Sequence, residues 1–453
     1  MFPKTNNHRR NPWKTGALLM RLLLSAATCC SLSGPADADE LTLSGAVKEA
    51  LAGNPQIAEA AAYRQAAGYG EKAAFADFFP KLYGAYGFRN LSEEPFVNLG
   101  GHKAVINSTH QHHWEVGLTQ PLFTGFAVSA QHRLAALGLE TYELKLRQAK
   151  ISVAREVKRA YFSLLLAEKN FAVAQTAEKN LIAHEEDARR FHDQGLIPRN
   201  DLLKAGVAKA DTTRQRIQAA AGVRTARSLF NVLLGREYGA ATTVADVNTV
   251  HQPEPDRNSL MEEALGKRPE LDILSRAMAA GEQEIRLAQS DYYPRVEAVG
   301  KYEQDGEDFG ARQNRFNNEY NASFGIQARW NFFEAGKTRA KSAKARWERE
   351  ALEKALEKMR DEVRLQVQEA CLDLEVATEN IAVTGKALEQ AREHWRITNT
   401  RYLQQLTTST EVLDARTYLT RAETGHYEAL YGYGMALADL DFAAGRIGCG
   451  ESE

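Results

Sequence analysis

The chain is written twice: the segment from Asn54 to Gly235 recurs as the segment from Arg268 to Gly445. Asn54-Pro55 answers to Arg268-Pro269 and Phe79-Pro80 to Tyr293-Pro294, both at a spacing of 214, and further on the spacing settles at 210. There Val153, Val157, Ala160, Leu164, Ala167 and Asn170 match Val363, Val367, Ala370, Leu374, Ala377 and Asn380. Solenoid and propeller units repeat every 20 to 50 residues or so, roughly a quarter of this period or less. The repeat is therefore a duplicated half-molecule, and each half mixes two periodicities.

The first is that of a strand. From Tyr320 the chain sets Tyr320, Ala322, Phe324, Ile326, Ala328, Trp330 and Phe332 on one face against Asn321, Ser323, Gly325, Gln327, Arg329 and Asn331 on the other. Before it, Val296, Ala298, Gly300 and Tyr302 oppose Arg295, Glu297, Lys301 and Glu303. In the first half Leu82, Gly84, Tyr86 and Phe88 share one face, as do Trp114, Val116, Leu118 and Leu122. Two strands of about 10 residues per half, apolar on one face and polar on the other, have the length and pattern of transmembrane barrel strands. An ordinary half-buried sheet alternates in the same way.

The second periodicity is that of very long helices. No proline occurs between Pro121 and Pro198, and none after Pro294. Within these spans apolar residues step by four and three through Val153, Val157, Ala160, Leu164, Ala167, Phe171 and Ala174, and again through Val363, Val367, Ala370, Leu374, Ala377 and Ile381. Such a stripe is a coiled-coil seam, and its alanines point to close helix approach. Residues 126–194 as one helix would run roughly 100 Å, too long for a compact domain of this size. A cytosolic coiled coil would carry the same stripe without the strands.

Lys4, Arg9, Arg10 and Lys14 precede an apolar run, and Ala36-Asp37-Ala38 offers a small-x-small cleavage site, so residues 1–38 read as a secretory signal peptide. Arg21 interrupts the apolar run, whereas a start at Met20 gives a shorter signal peptide by itself. Cys29 and Cys30 raise a lipid-anchored N-terminus, but Ala26-Ala27-Thr28 does not fit the Leu-x-small pattern such processing prefers. Beyond the signal no run of 18 apolar residues marks a spanning helix, and no basic patch asks for nucleic acid. Only Cys371 and Cys449 follow it, which implies no disulfide framework.

Four strands cannot close a barrel by themselves, since single-chain outer-membrane barrels begin at about eight. Open strand edges in a bilayer leave backbone groups unpaired, each costing several kcal/mol. Strands in a membrane therefore require two, three or four copies of the chain.

The duplicated strand-strand-helix-helix plan resembles the TolC family of outer-membrane efflux proteins over nearly the whole chain past the signal. The motifs are Glu49-Ala50-Leu51-x-x-Asn54-Pro55, Gln120-Pro121-Leu122-Phe123-x-Gly125, Gly195-Leu196-x-Pro198-x-x-Asp201-Leu202-Leu203 and Glu411-Val412-Leu413-Asp414-Ala415. The resemblance implies a helix-dominated chain with a transmembrane β part. It also implies a homotrimer in which three chains build one twelve-stranded barrel in outer-membrane lipid, continued by an α-helical tunnel across the periplasm. The implied partners are a periplasmic adaptor and an inner-membrane transporter of the RND, ABC or MFS class. No cofactor and no enzymatic activity are implied.

On this plan residues 39–248 form the first repeat, with strands near 81–90 and 113–123 and helices near 126–194 and 200–234. Residues 249–453 form the second, with strands near 295–303 and 319–333 and helices near 336–403 and 410–444. Residues 89–112 and 304–318 become outer loops. The inner turns, with Gly195, Leu196 and Ile197 in one and Gln405, Leu406 and Thr407 in the other, become the adaptor-contacting tips. Tyr402, Glu411 and Asp414 fall where the family carries its constriction. Three copies of Glu411 and Asp414 would make a cation-attracting ring, and a carboxylate near a helix N-terminus is equally at home as a helix-end group.

Two departures from the family bear on geometry. The second inner turn has Gln405 in place of glycine and the first carries an extra residue between Phe191 and Gly195, which predicts altered turns. The second strand-to-helix junction, Trp330-Asn331-Phe332-Phe333, lacks the proline of the first, which predicts a gentler bend. Glu334-Ala335-Gly336-Lys337-Thr338 ends like a phosphate-binding loop, yet Asn331 stands where its first glycine belongs. His102, His110, His112 and His113 could bind a metal, but the loop supplies no carboxylate or cysteine framework. The residues thus point to a passive duct, with a periplasmic scaffold or adaptor lacking a barrel as the rival.

Overall fold

The computed structural model describes residues 40–247, 256–316, 318 and 320–448. The signal-peptide reading of residues 1–38, with Met20, Cys29 and Cys30, lies outside the described residues, as does Cys449. Each half opens with two helices that share a hinge residue: α1 (Leu43–Gly53) and α2 (Pro55–Ala76) in the first, α5 (Arg257–Lys267) and α6 (Pro269–Ser290) in the second. Two long strands follow, β1 (Lys81–Asn90) and β4 (His110–Phe123), then β5 (Arg295–Gly306) and β6 (Tyr320–Arg329). Each half ends in a long hairpin, α3 (Ala127–Asp193) with α4 (Arg199–Leu234), and α7 (Lys337–Leu403) with α8 (Ser409–Ala443).

Proline at the first helical position starts α2 and α6, where a missing N–H costs nothing. The residue before it does a second job. Asn54 caps α2 by accepting from Gln56 N–H at 2.8 Å, and its amide donates to the Leu233 carbonyl at the end of α4 at 2.8 Å. Arg268 occupies the equivalent place and donates to the carbonyls of Phe442 (3.2 Å) and Ala443 (3.3 Å) at the end of α8. Helix ends leave carbonyls without intrahelical partners, and both halves satisfy them from the same hinge with different side chains. Arg236 with Glu49 and Arg446 with Glu263 fasten the same corner twice. Gly235, at φ 78°, lies against the Gly53 carbonyl, where a Cβ would come within 2.3 Å of the oxygen.

At 1.5 Å per residue the 67-residue helices α3 and α7 each run about 100 Å. The shorter partners cover them in two stretches. Nearer the sheet α2 packs on α3, and α6 lies between α3 and α7; farther away α4 replaces α2, and α8 lies between α3 and α7. The chain is thus a strip four helices wide along its length. The alanine-rich seam allows this close packing: Phe162 lies over Gly434, where an added Cβ would meet its ring at 2.5 Å. One buried cluster centres on Val153, Val157, Tyr161, Leu164 and Phe230, and its counterpart on Val363, Val367, Ala370 and Tyr433.

The four long strands form an antiparallel sheet in the order β1-β4-β5-β6. Leu82 pairs with Leu118, Leu118 with Gly300 and Gly300 with Phe324, which aligns the apolar rows of all four strands on one face. Three findings differ from the sequence expectation. A bulge between Pro121 and Phe123 brings Phe123 opposite Val296, so Phe123 rather than Leu122 continues the apolar row. β6 ends at Arg329 although its alternation continues to Phe332, because its partner β5 begins at Arg295, just after Pro294. A ribbon, β2 (Phe96–Leu99) with β3 (His102–Val105), rises within the first outer loop, turning at Gly100-Gly101 with φ 58° and 92°.

Candidate functional site at the hairpin tips and the sheet

The two strand-to-helix junctions are built alike. Gly125 and Phe126 have φ 62° and 70°, and Ala335 and Gly336 have φ 48° and 83°. Both junctions therefore make the same left-handed reversal, and the missing proline does not soften the second one.

The two inner turns are alike as well. Gly195 N–H donates to the His192 carbonyl and Leu196 N–H to the Phe191 carbonyl, both at 2.8 Å. Gln405 N–H donates to the Tyr402 carbonyl at 2.9 Å and Leu406 N–H to the Arg401 carbonyl at 2.8 Å. The expected alteration of turn geometry is absent, because the tips align residue for residue at the 210 spacing and Gln405 adopts φ 61° where Gly195 has 73°. Left-handed backbone costs a residue with a Cβ about 1 kcal/mol relative to glycine.

Gly195, Leu196, Gln405 and Leu406 are exposed at the tips, and Ile197 and Thr407 are half-buried. Tyr402 is buried inside the chain, its ring centroid 4.7 Å from His184 and 5.5 Å from Phe191. Glu411 and Asp414 are exposed and, three residues apart on α8, share a helix face. Glu411 also helps start that helix: its N–H donates to the capping Thr408 hydroxyl at 3.3 Å, and its carboxylate accepts from Thr407. The structure thus brings Glu411 and Asp414 together on the surface and puts Tyr402 in the packing behind them. In the first hairpin the same positions hold Asp201 and Lys204, 3.6 Å apart, and Lys204 also reaches the Thr410 hydroxyl of the second hairpin at 3.3 Å.

His184 is the residue that sequence reasoning missed. It lies between Leu181 and Ala188 on the seam of α3, buried, with Nε2 2.8 Å from the Ser409 hydroxyl. Burial pushes its imidazole below the ordinary value of 6.5, against an opposing pull from Asp187. Burial likewise raises the Tyr402 phenol. The available signal was a histidine at a seam position that otherwise takes apolar residues.

On the polar face of the sheet Lys301 sits 2.7 Å from Glu115 and 3.0 Å from Glu303, and His113 contacts Asp305 at 2.7 Å. His113, Glu115 and Glu303 form a group with metal-ligand atoms within reach of one another, so this histidine does have a carboxylate framework, supplied by the strands rather than the loop. Lys301 already pairs with both carboxylates. His102, His110 and His112 do not join the group. The apolar face carries Tyr86, Phe88, Trp114, Tyr302 and Tyr320 toward its outer end, and Trp114 donates to the Phe309 carbonyl at 2.9 Å. At the inner end Phe79, Phe126, Tyr293, Trp330, Phe332 and Phe333 are exposed, a second aromatic level. Among the described residues no helix is long and apolar enough to cross a membrane.

A family model described as outer membrane efflux protein matches residues 46–236 and 260–446. The fold is similar to that of the outer-membrane channel OprN, with a TM-score of 0.75, 20% identity and 89% of each chain covered. The CmeC outer membrane channel of Campylobacter jejuni superposes with a TM-score of 0.79 at 14% identity, over 89% of this chain and 85% of that one. The MtrE outer membrane channel of Neisseria gonorrhoeae, solved in an open state, gives 0.71 at 17% identity over 89% of each. No curated protein matches the sequence at a significant level.

Proposed function

This chain belongs to the outer membrane efflux protein family, and from that premise we propose that three copies form the exit duct of a tripartite efflux pump or a type I secretion system. The protein is an outer-membrane channel component and not an enzyme. In the proposed trimer β6 of one chain pairs with β1 of the next, closing twelve strands into a barrel. The observation that carries this reading is the sheet: one face is apolar along all four strands, and among the described residues its two ten-residue edges have no strand partner. A bilayer tolerates such a sheet only when closed. The helical strip continues it as one third of a tunnel.

The mechanism follows from the tips. A ring of three Glu411 and Asp414 pairs would draw cations to a closed inner end, and the exposed Leu196 and Leu406 would give a periplasmic adaptor an apolar foothold. Engagement of adaptor and inner-membrane transporter, of the RND, ABC or MFS class, would separate the tips and open a continuous path. The energy for opening would come from the transporter.

The test is single-channel conductance of the detergent-purified protein in a planar bilayer, with a Glu411→Ala, Asp414→Ala variant beside it. Small cation-selective currents that grow or lose selectivity in the variant are expected. Currents unchanged by the variant would move the gate elsewhere. A protein that stays soluble without detergent and carries no current would overturn the duct in favour of a periplasmic scaffold.

A further inference from the structure

We propose that His184 is a pH-sensitive latch that holds the second hairpin on the first while its imidazole is neutral and releases it on protonation. The proposal rests on the gate reading above and adds a regulation to it. The geometry comes from three helices. His184 projects from α3 of the first hairpin, bonds through Nε2 to Ser409 at the start of α8, and packs its ring on Tyr402 near the end of α7. It therefore spans from one hairpin to both legs of the other, about three helical turns from the first tip and about one from the second.

Protonation should break this contact because the pocket accommodates a neutral ring only. Nδ1 is buried with no hydrogen-bond partner among the described residues, and the aromatic ring of Tyr402 packs against the imidazole. An imidazolium would have to place a second N–H and a full charge there. Buried charge without a partner is costly, and buried groups respond by shifting or by leaving the site.

The surrounding charged groups are otherwise engaged. On α3, Asp187 is bound to Arg190; on α4, Asp201 faces Lys204; on α7, Arg401 donates to the Leu406 carbonyl at 3.3 Å. On α8, Glu411 is taken up by Thr407, and Asp414 is exposed. Of these Asp187 favours the charged form of His184, and burial opposes it more strongly.

The sign of the effect follows. With the closed-state value depressed below 6.5, the latch is at full strength above that pH. As pH falls below it, an undocked His184 binds the proton that the docked one refuses, and the closed tip weakens until the depressed value is passed.

The test compares the wild-type protein, His184→Asn, His184→Gln and His192→Asn by hydrogen exchange across residues 400–412 and by bilayer conductance. His192 is the control because it bonds to the Ile197 carbonyl inside the first turn and touches neither α7 nor α8 through that bond. After correction for intrinsic exchange rates, protection of 400–412 should fall between about pH 7.5 and pH 5 in the wild type, by at most about tenfold per pH unit for one site per chain. Both His184 variants should lose this dependence, and His192→Asn should keep it. Open probability should follow the same profile. A retained acid response in both His184 variants, or none in the wild type, would overturn the latch while currents leave the duct standing. An intact exchange profile without current at any pH would instead sink the duct and leave the latch as a hairpin contact.

Discussion

The two hairpins share a backbone and differ in what they show to solvent. At the tips the turn hydrogen bonds coincide, yet the first hairpin carries Asp201 and Lys204, which cancel, where the second carries Glu411 and Asp414, which add. At the roots Asn54 and Arg268 differ wholly as side chains and do the same thing, donating to the last carbonyls of α4 and α8. After duplication, positions that must satisfy backbone groups have kept their task through a change of residue, because an unpaired buried carbonyl is costly wherever it lies. Positions facing water at the tip were free to diverge, and there one hairpin became acidic.

The root offers the largest effect. Arg268 is almost fully buried and holds Glu270 at 3.1 Å and Gln366 at 2.8 Å besides the two carbonyls, with Phe442 4.9 Å from its guanidinium. Arg268→Ala would leave half-buried Glu270 with Gln148 but without its charged partner and would remove a donor from two helix-end carbonyls, which costs about 2 to 4 kcal/mol. Asn54→Ala removes a helix cap and one hydrogen bond, about 1 to 2 kcal/mol. Hydrogen exchange at the end of α8 in the first variant should accelerate more than at the end of α4 in the second. Equal acceleration would mean that the arginine adds nothing beyond the asparagine's task.

At the tips the comparison can be rewritten directly. The paired change Glu411→Asp, Asp414→Lys gives the second hairpin the charges of the first, and Asp201→Glu, Lys204→Asp does the reverse. If the second hairpin faces the channel axis, the first exchange should carry the reversal potential in a salt gradient most of the way to zero, by tens of millivolts for a selectivity change of about tenfold. The reverse exchange should move it only slightly. A larger response to the exchange in the first hairpin would assign the axis to α3 and α4 instead.

How much of this was legible follows from where each residue's neighbours come from. The strands were readable because, beyond the contact of Tyr86 and Trp114 with Phe309, their apolar face is uncovered among the described residues: every second residue of β6 from Tyr320 to Ala328 lies on one smooth side, so nothing interrupts the period of two. The long helices were readable from the seam through Val153 and Leu164. The end of β6 was not, since alternation in Trp330 and Phe332 does not reveal that Pro294 halts the pairing strand. The β2–β3 ribbon was legible in principle from Gly100-Gly101 between apolar runs, a hairpin signal lost in a segment taken as loop. Helices α1, α2, α5 and α6 went unassigned, and in a strip one helix thick α2 buries little beyond Ile57, so it carries no strong stripe. His184 was hidden for the opposite reason, as its partners Tyr402 and Ser409 lie more than 200 residues away in sequence.

The smallest effect isolates the one tip residue that departs from the duplication's backbone chemistry. Gln405 holds φ 61° in a turn whose counterpart uses glycine, is exposed, and has no side-chain hydrogen bond to offset the strain among the described residues. Gln405→Gly should relieve about 1 kcal/mol of left-handed strain, and Gly195→Gln should introduce it. Glycine also loosens the unfolded chain, which subtracts from the gain in Gln405→Gly and by the same amount from the loss in Gly195→Gln, so both net effects are small. Protection of the Leu406 amide, which bonds to Arg401, should therefore rise slightly in Gln405→Gly, and that of Leu196 should fall slightly in Gly195→Gln. A fall in Leu406 protection would mean that the glutamine side chain supports the turn through contacts with a neighbouring chain, and the second tip would then owe its shape to the assembly rather than to its own backbone.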